Sequence, residues 1–360
     1  MACKELNMSL ETQKTELLDW LKTAMTLEFG TIPPYMMALV SLHPDKNRVP
    51  ADLIRAVMIE EMLHMTLVGN LINSLGGRVD LGPDSLPSYP LAMEFRGKRF
   101  KDRKFDVNLQ AFSPQAIEIF MMIELPSDWA ERESLMLMAA DELDIDGLTI
   151  GDFYLNILHQ LEELCGKYGE SAVFCGDLAL QISQDYYWSS GGKPIVITNL
   201  SSAREAITTI IEQGEGSSTS IYDDDHLTFG QPVELAHFYR FREIYFARYY
   251  QPGDEPHQPP SGESFPVDYQ AVYPIKTNPV ASDYAPDTPL ATLNEQFNRQ
   301  YTLMLLQLQQ AFSGHPRALY TAIMNGMHGM VPIAINMASQ PIPGDADLHH
   351  GTPTFSWFTP

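Results

Sequence analysis

A chain of 360 residues can bury a sizeable core and has room for two or three domains. Hydrophobic residues make up 44% and charged residues 19%, the balance of a globular protein rather than a disordered one. A net charge of -23 repels phosphate, which excludes nucleic acid and anionic membrane as natural partners, and no apolar run approaches the roughly 20 residues that span a bilayer. The N-terminal stretch lacks the apolar core of a signal peptide, so a cytoplasmic protein is expected. Cys3, Cys165 and Cys175 form neither a disulfide framework nor a CxxC knuckle and read as idle thiols.

In chain order, residues 16–42 read as a helix, with Leu17, Leu21, Ala24, Thr31, Tyr35, Ala38 and Leu42 along one face. Pro33 and Pro34 predict a kink within it. After a loop around Pro44 to Pro50, residues 51–75 give the clearest helix, its seam running through Ile54, Val57, Val68, Leu71 and Leu75 to a Gly76-Gly77 stop. Residues 78–112 are punctuated by Pro and Gly and read as irregular. A helix opens at Ser113-Pro114 and stops near Pro126. Another runs from Thr149 to Tyr168, with Thr149 and Asp152 spaced as a capping box.

KPIVIT (193–198) reads as a short strand, Ser202 to Gln213 as a helix closed by Gly214, and Pro232 to Tyr250 as a long aromatic helix. Nine prolines between 252 and 289 predict an extended wrapping linker. Two helices, about 290–312 and 316–338, then form a hairpin broken at Gly314 and Pro316. The expected division is a bundle with insertions over 1–250, a Pro-rich linker over 251–289, and a C-terminal hairpin and tail over 290–360.

The chemistry sits on the apolar seams. Glu61 and His64 occupy positions of the 51–75 helix that should be apolar, and a lone buried carboxylate there would cost several kcal/mol or take up a proton. The spacing Glu-x-x-His puts both side chains on one face, where they can share a metal ion. Glu234 and His237 repeat the motif in the 232–250 segment. A two-metal carboxylate bundle needs one further Glu from each of two other helices. Glu28 is the only acidic residue on its helix face. The 202–213 helix offers Glu205 or Glu212; Ser202-x-x-Glu205 reads as a capping box, so the choice falls on Glu212. The predicted ligands are therefore Glu28, Glu61, His64, Glu212, Glu234 and His237. Carboxylate and imidazole without thiolate suit two iron ions, with manganese as the alternative. Glu60, one step off the seam, reads either as hydrogen-bonding support or as a solvent-facing residue, and Tyr35 reads first as a packed tyrosine, with a redox or hydrogen-bonding role as the alternative; Asp223-Asp224-Asp225-His226 reads as a solvated acidic loop and His349-His350 as disordered surface.

LEFGTIPPYMMALVSL (27–42) and IEEMLHMTLVGNLINSLGG (59–77) resemble the ferritin-like family associated with iminophenyl-pyruvate dimer synthases, which includes regions of violacein- and rebeccamycin-pathway proteins. FMMIELP (120–126), TIGDFYLNI (149–157), IIEQGEG (210–216), ELAHFYRFREI (234–244), YPIKTNP (273–279) and FNRQYTLMLLQLQQAFSG (297–314) are similar to its later motifs. The resemblance covers about 16–338. It implies an all-α ferritin-like four-helix bundle with additional helices, long loops and a C-terminal hairpin. It also implies a di-iron enzyme using O2 on a small amino-acid-derived or aromatic metabolite, in a chain able to form a homo-oligomer. Iron handling as a ferroxidase is the competing function.

Overall fold

Two long helices set the frame of the computed structural model, which describes residues 9–43, 45–97, 100–127, 149–187, 191–216, 219–223 and 233–359, with side chains described outside 94–104. Helix α1 spans Leu10–Ser41 and begins at Ser9, whose hydroxyl accepts the Thr12 amide. It is amphipathic at first, then buried on every side from Leu27 to Ser41, so it enters the centre of the molecule. The helix runs on through Pro33 and Pro34. Pro34 has no N–H for the Gly30 carbonyl, and the Tyr89 hydroxyl donates to that carbonyl instead, at 2.8 Å. Helix α2 spans Arg48–Ser74 and is likewise buried all round from Glu60 onward.

The other helices pack around this pair. They are α3 (Pro114–Ile123), α4 (Ile150–Tyr168), α5 (Leu200–Gly214) and α6 (His237–Phe246). Helices α1, α2, α5 and α4 close a ring of four, each packed on the next, while α3 pairs with α6 and α6 lies against α2. The chain ends in a hairpin: α7 (Pro289–Ala311) returns through α8 (Ala318–Thr321), a π-helical stretch over Ala322–Met327, and α9 (His328–Ala338), which packs on α1. The fold is all-α in class.

Several expectations need correction. Residues 78–112 are not wholly irregular: β1 (Leu91–Gly97) and β2 (Phe100–Val107) form an antiparallel hairpin, pairing Leu91 with Val107 and Met93 with Phe105. KPIVIT is not a strand. Its carbonyls and amide pair with side chains: Asn70 donates to Ile195 O, while Gln181 donates to Ile197 O and accepts Ile197 N. Helix α5 opens two residues earlier than predicted, with Asn199 and Ser202 as its capping box, so Ser202-x-x-Glu205 is not a cap. The predicted 232–250 helix shrinks to α6, because Leu235 pairs in a β-bridge with Tyr222 and helical geometry begins only at His237. His349 and His350 are half-buried and hydrogen-bonded, to Asp345 and to the Ala338 carbonyl. Cys3, Pro44, Pro232, Asp224, Asp225 and His226 lie outside the described residues.

Candidate metal centre

The site forms where the ring of four meets the α3–α6 pair. Glu28 comes from α1, Glu61 and His64 from α2, Glu124 from the C-cap of α3, and His237 from the first turn of α6. All five side chains are buried. The carboxylate of Glu61 lies between the two imidazoles, with Oε2 3.6 Å from His64 Nδ1 and Oε1 3.1 Å from His237 Nδ1. Glu28 Oε2 is 3.3 Å from His64 Nδ1, and Glu124 Oε2 is 3.7 Å from His237 Nδ1. The two rings stack at 5.3 Å between centroids.

A further set of residues holds these groups in place. The Tyr154 hydroxyl donates to Glu28, and the Tyr35 hydroxyl donates to Glu124 at 2.6 Å. Gln213 is oriented by its Nε2–H bond to the Gly191 carbonyl, so its Oε1 must accept from His64 Nε2, 2.9 Å away. Glu60 Oε2 accepts from His237 Nε2 at 2.9 Å, while its Oε1 is 3.0 Å from Arg240 Nη1. Both imidazoles are thus protonated on Nε2 by their surroundings and aim Nδ1 at the carboxylates.

The electrostatics of the cluster favour positive charge at its centre. Burial drives the His64 pKa down, but the Glu28 and Glu61 carboxylates outweigh it and lift the imidazole to about 10. His237 is raised well above its usual range by Glu124, Glu60 and Glu61, again against burial. Burial pushes Glu61 up, yet two imidazoles bonded to it bring it below the ordinary carboxylate range. Burial raises Glu28 to about 7, and burial together with the Glu61 charge raises Glu124. Two protons on imidazole supply part of the positive charge that bound dications would bring. Even so, buried Glu61 Oε1 and His237 Nδ1 have no well-formed hydrogen bond, although they face each other. Orphaned polar atoms converging in a buried cluster of hard oxygen and imidazole donors fit a divalent metal. Ligand atoms of Glu61, His64 and His237 lie within 4.8 Å of one another, close enough to share an ion.

A cavity of about 20 Å³ opens beside Glu28, Glu61, His64 and Glu124. It reaches Glu215, at the end of α5, whose carboxylate accepts from Gly151 N at 2.5 Å and Ser127 N at 3.0 Å. Burial lifts Glu215 to about 8 in spite of those bonds.

Of the six predicted ligands, the structure brings together Glu28, Glu61, His64 and His237. Glu234 stands apart. It precedes α6, so the helical i, i+3 relation to His237 does not exist; its half-exposed side chain pairs with Arg240 at 3.1 Å. Glu212 is half-buried on α5 and is not among the residues lining the cavity; the α5 side chain that meets His64 is Gln213. Glu124 was missed. Its signal was a lone carboxylate ending the apolar run IFMMIELP.

Residues 21–246 match the family model described as ferritin-like, and the chain therefore belongs to the ferritin-like family. Among solved structures it is similar to a ferritin-like protein from Caulobacter vibrioides, with a TM-score of 0.56 and 20% identity over 94% of this chain and 97% of that one. No curated protein matches the chain.

Proposed function

We propose that this chain is a non-haem di-metal oxidoreductase. In this reading two iron ions, with manganese as the alternative, are held by Glu28, Glu61, His64, Glu124 and His237, and dioxygen is the co-substrate. The observation that carries it is Glu61, a fully buried carboxylate placed between two Nδ1 atoms that both face inward. Iron, when bound, supplies the redox chemistry at dioxygen. The protein's own contribution is to fix the donors and keep water out. Tyr154 and Tyr35 orient the outer carboxylates, Gln213 and Glu60 set the imidazole tautomers, and Ile123, Ile150 and Ile210 wall the cavity with hydrocarbon.

The oxidised substrate in this proposal is a small amino-acid-derived or aromatic metabolite, a class that rests on the resemblance to iminophenyl-pyruvate dimer synthase relatives. The setting is a cytoplasmic homo-oligomer without nucleic-acid or membrane partners. Among the described residues no helix is long and apolar enough to cross a membrane. One observation favours the second reading, ferroxidase activity: a cavity of about 20 Å³ has room for a water-sized ligand but not for an organic molecule.

Anaerobic loading with ferrous iron, metal analysis and assembly mass, then exposure to O2 with candidate amino acids and mass spectrometry of the mixture, separates the two. Two metals per chain with a new oxygen-dependent product supports the enzyme. Repeated iron oxidation with many irons per chain supports iron handling, and no metal uptake overturns both.

A further inference from the structure

Resting on the di-metal reading, we propose that the two halves of the site bind metal unequally and that the His237 half takes the first ion, because a carboxylate backs its imidazole where an amide backs the other. The halves are otherwise matched across Glu61. On one side stand His64, Glu28 and the Tyr154 hydroxyl; on the other stand His237, Glu124 and the Tyr35 hydroxyl. Each imidazole aims Nδ1 at two carboxylates and donates Nε2–H outward over 2.9 Å. The difference lies in the acceptor. His64 meets the neutral Gln213 amide, whereas His237 meets the Glu60 carboxylate.

Glu60 is held as a carboxylate by its partners: Oε1 is 3.0 Å from the Arg240 guanidinium and Oε2 accepts the His237 Nε2–H at 2.9 Å. Arg240 does not cancel its charge, since the same guanidinium is shared with Glu234 at 3.1 Å and Asp223 at 3.5 Å. Among the described residues, that one guanidinium faces three carboxylates, so it cannot neutralise Glu60 alone. An anionic acceptor on Nε2–H pushes electron density toward Nδ1 and makes it the stronger donor to a metal; a neutral amide does so less. Glu60 and Gln213 are positioning residues in this scheme, because each acts on a metal only through its histidine.

The test is an anaerobic cobalt(II) titration of the whole chain, followed by visible absorption and calorimetry, with neither readout depending on turnover. The wild type should show two steps at least 10-fold apart. Glu60→Gln keeps an acceptor oxygen but removes the charge, and should weaken the tighter step by roughly 10- to 100-fold while leaving the other in place. Gln213→Glu should tighten the weaker step and narrow the gap. Because Glu60→Gln also disturbs Arg240, an independent measurement uses unmutated protein: with one equivalent of zinc, the nitrogen-15 imidazole signals of His237 should shift before those of His64. Two equal steps, or His64 responding first, overturn the inference and leave the di-metal reading standing. A chain that takes up neither cobalt nor zinc overturns both.

Discussion

Exchanging Glu124 for glutamine should separate its role from that of Glu234. The substitution is close to isosteric. The amide oxygen can still accept the Tyr35 hydroxyl that now donates to Glu124 over 2.6 Å, so packing around the ring is kept and only the charge is lost. That charge is 3.7 Å from His237 Nδ1 and buried. Changes one layer further out already cost metal sites 10- to 100-fold in affinity, so a direct ligand should cost at least about 100-fold, or roughly 2.7 kcal/mol. The metal-free protein should not suffer, because burial and the Glu61 charge already raise the Glu124 pKa and oppose its ionisation. Glu234→Gln is the control. Its side chain is 46% exposed and its ion pair with Arg240 is partly solvated, which limits the loss to about 1 kcal/mol of stability or less with two metals retained. Metal analysis after anaerobic loading, with thermal melts of both apo variants, checks the pair. A Glu234 variant that loses a metal while the Glu124 variant keeps both would refute the assignment.

Metal uptake should expel protons, since His64 with a pKa of about 10 and His237 above its usual range are charged at neutral pH in the metal-free site. Apparent affinity should therefore rise as pH climbs from about 6.5 toward 10, and calorimetry in buffers of different ionisation enthalpy should count at least one proton released per chain. Glu215, raised to about 8 from 4.5, favours the folded state most when protonated; that stability is present below about 4.5 and lost as pH passes through 8. Glu215→Gln should flatten this fall, so its melting temperature should gain on the wild type between pH 5 and 8. Gly69→Ala should cost about 1–3 kcal/mol in denaturant unfolding, because a methyl group there drives into the Phe312 ring where α2 meets the C-terminal hairpin.

How much of this was legible depended on whether a residue sat inside a regular helix. Glu61 and His64 could be read because α2 is continuous across both, and Glu28 because α1 carries it on a face otherwise apolar. His237 was found through a partner that the backbone does not supply, since Glu234 lies before the helix starts. Glu124 escaped because it is a C-cap, where helical periodicity has ended. Glu60 looked one step off the seam. A seam rule assumes one buried face, whereas α2 is enclosed from Glu60 to Ser74, so its off-seam carboxylate meets α6 while Glu61 meets the centre. Tertiary packing of α6 against α2, and of α3 against α6, decided these positions, and no local pattern encodes it. The hairpin at 91–107 was hidden for a different reason: the prolines and glycines around it outweighed a brief alternation in Leu91, Met93, Phe105 and Val107.

The amide of Asn70 does for the 182–197 region what a neighbouring strand would otherwise do. It donates to the carbonyls of Ile182 and Ile195 and accepts the Ile182 amide, using both N–H donors and the carbonyl oxygen. Asn47 fastens the wrapping segment in the same manner, through the carbonyls of Asp268 and Ala271 and the Asp268 amide. A backbone ladder is indifferent to which residues form it; these rivets are not. Aspartate has the shape of asparagine but no donors, so hydrolysis of either amide would set a carboxylate against two carbonyl oxygens. Loops secured this way each hang on one side-chain amide, and can come undone although every apolar contact in the core is intact.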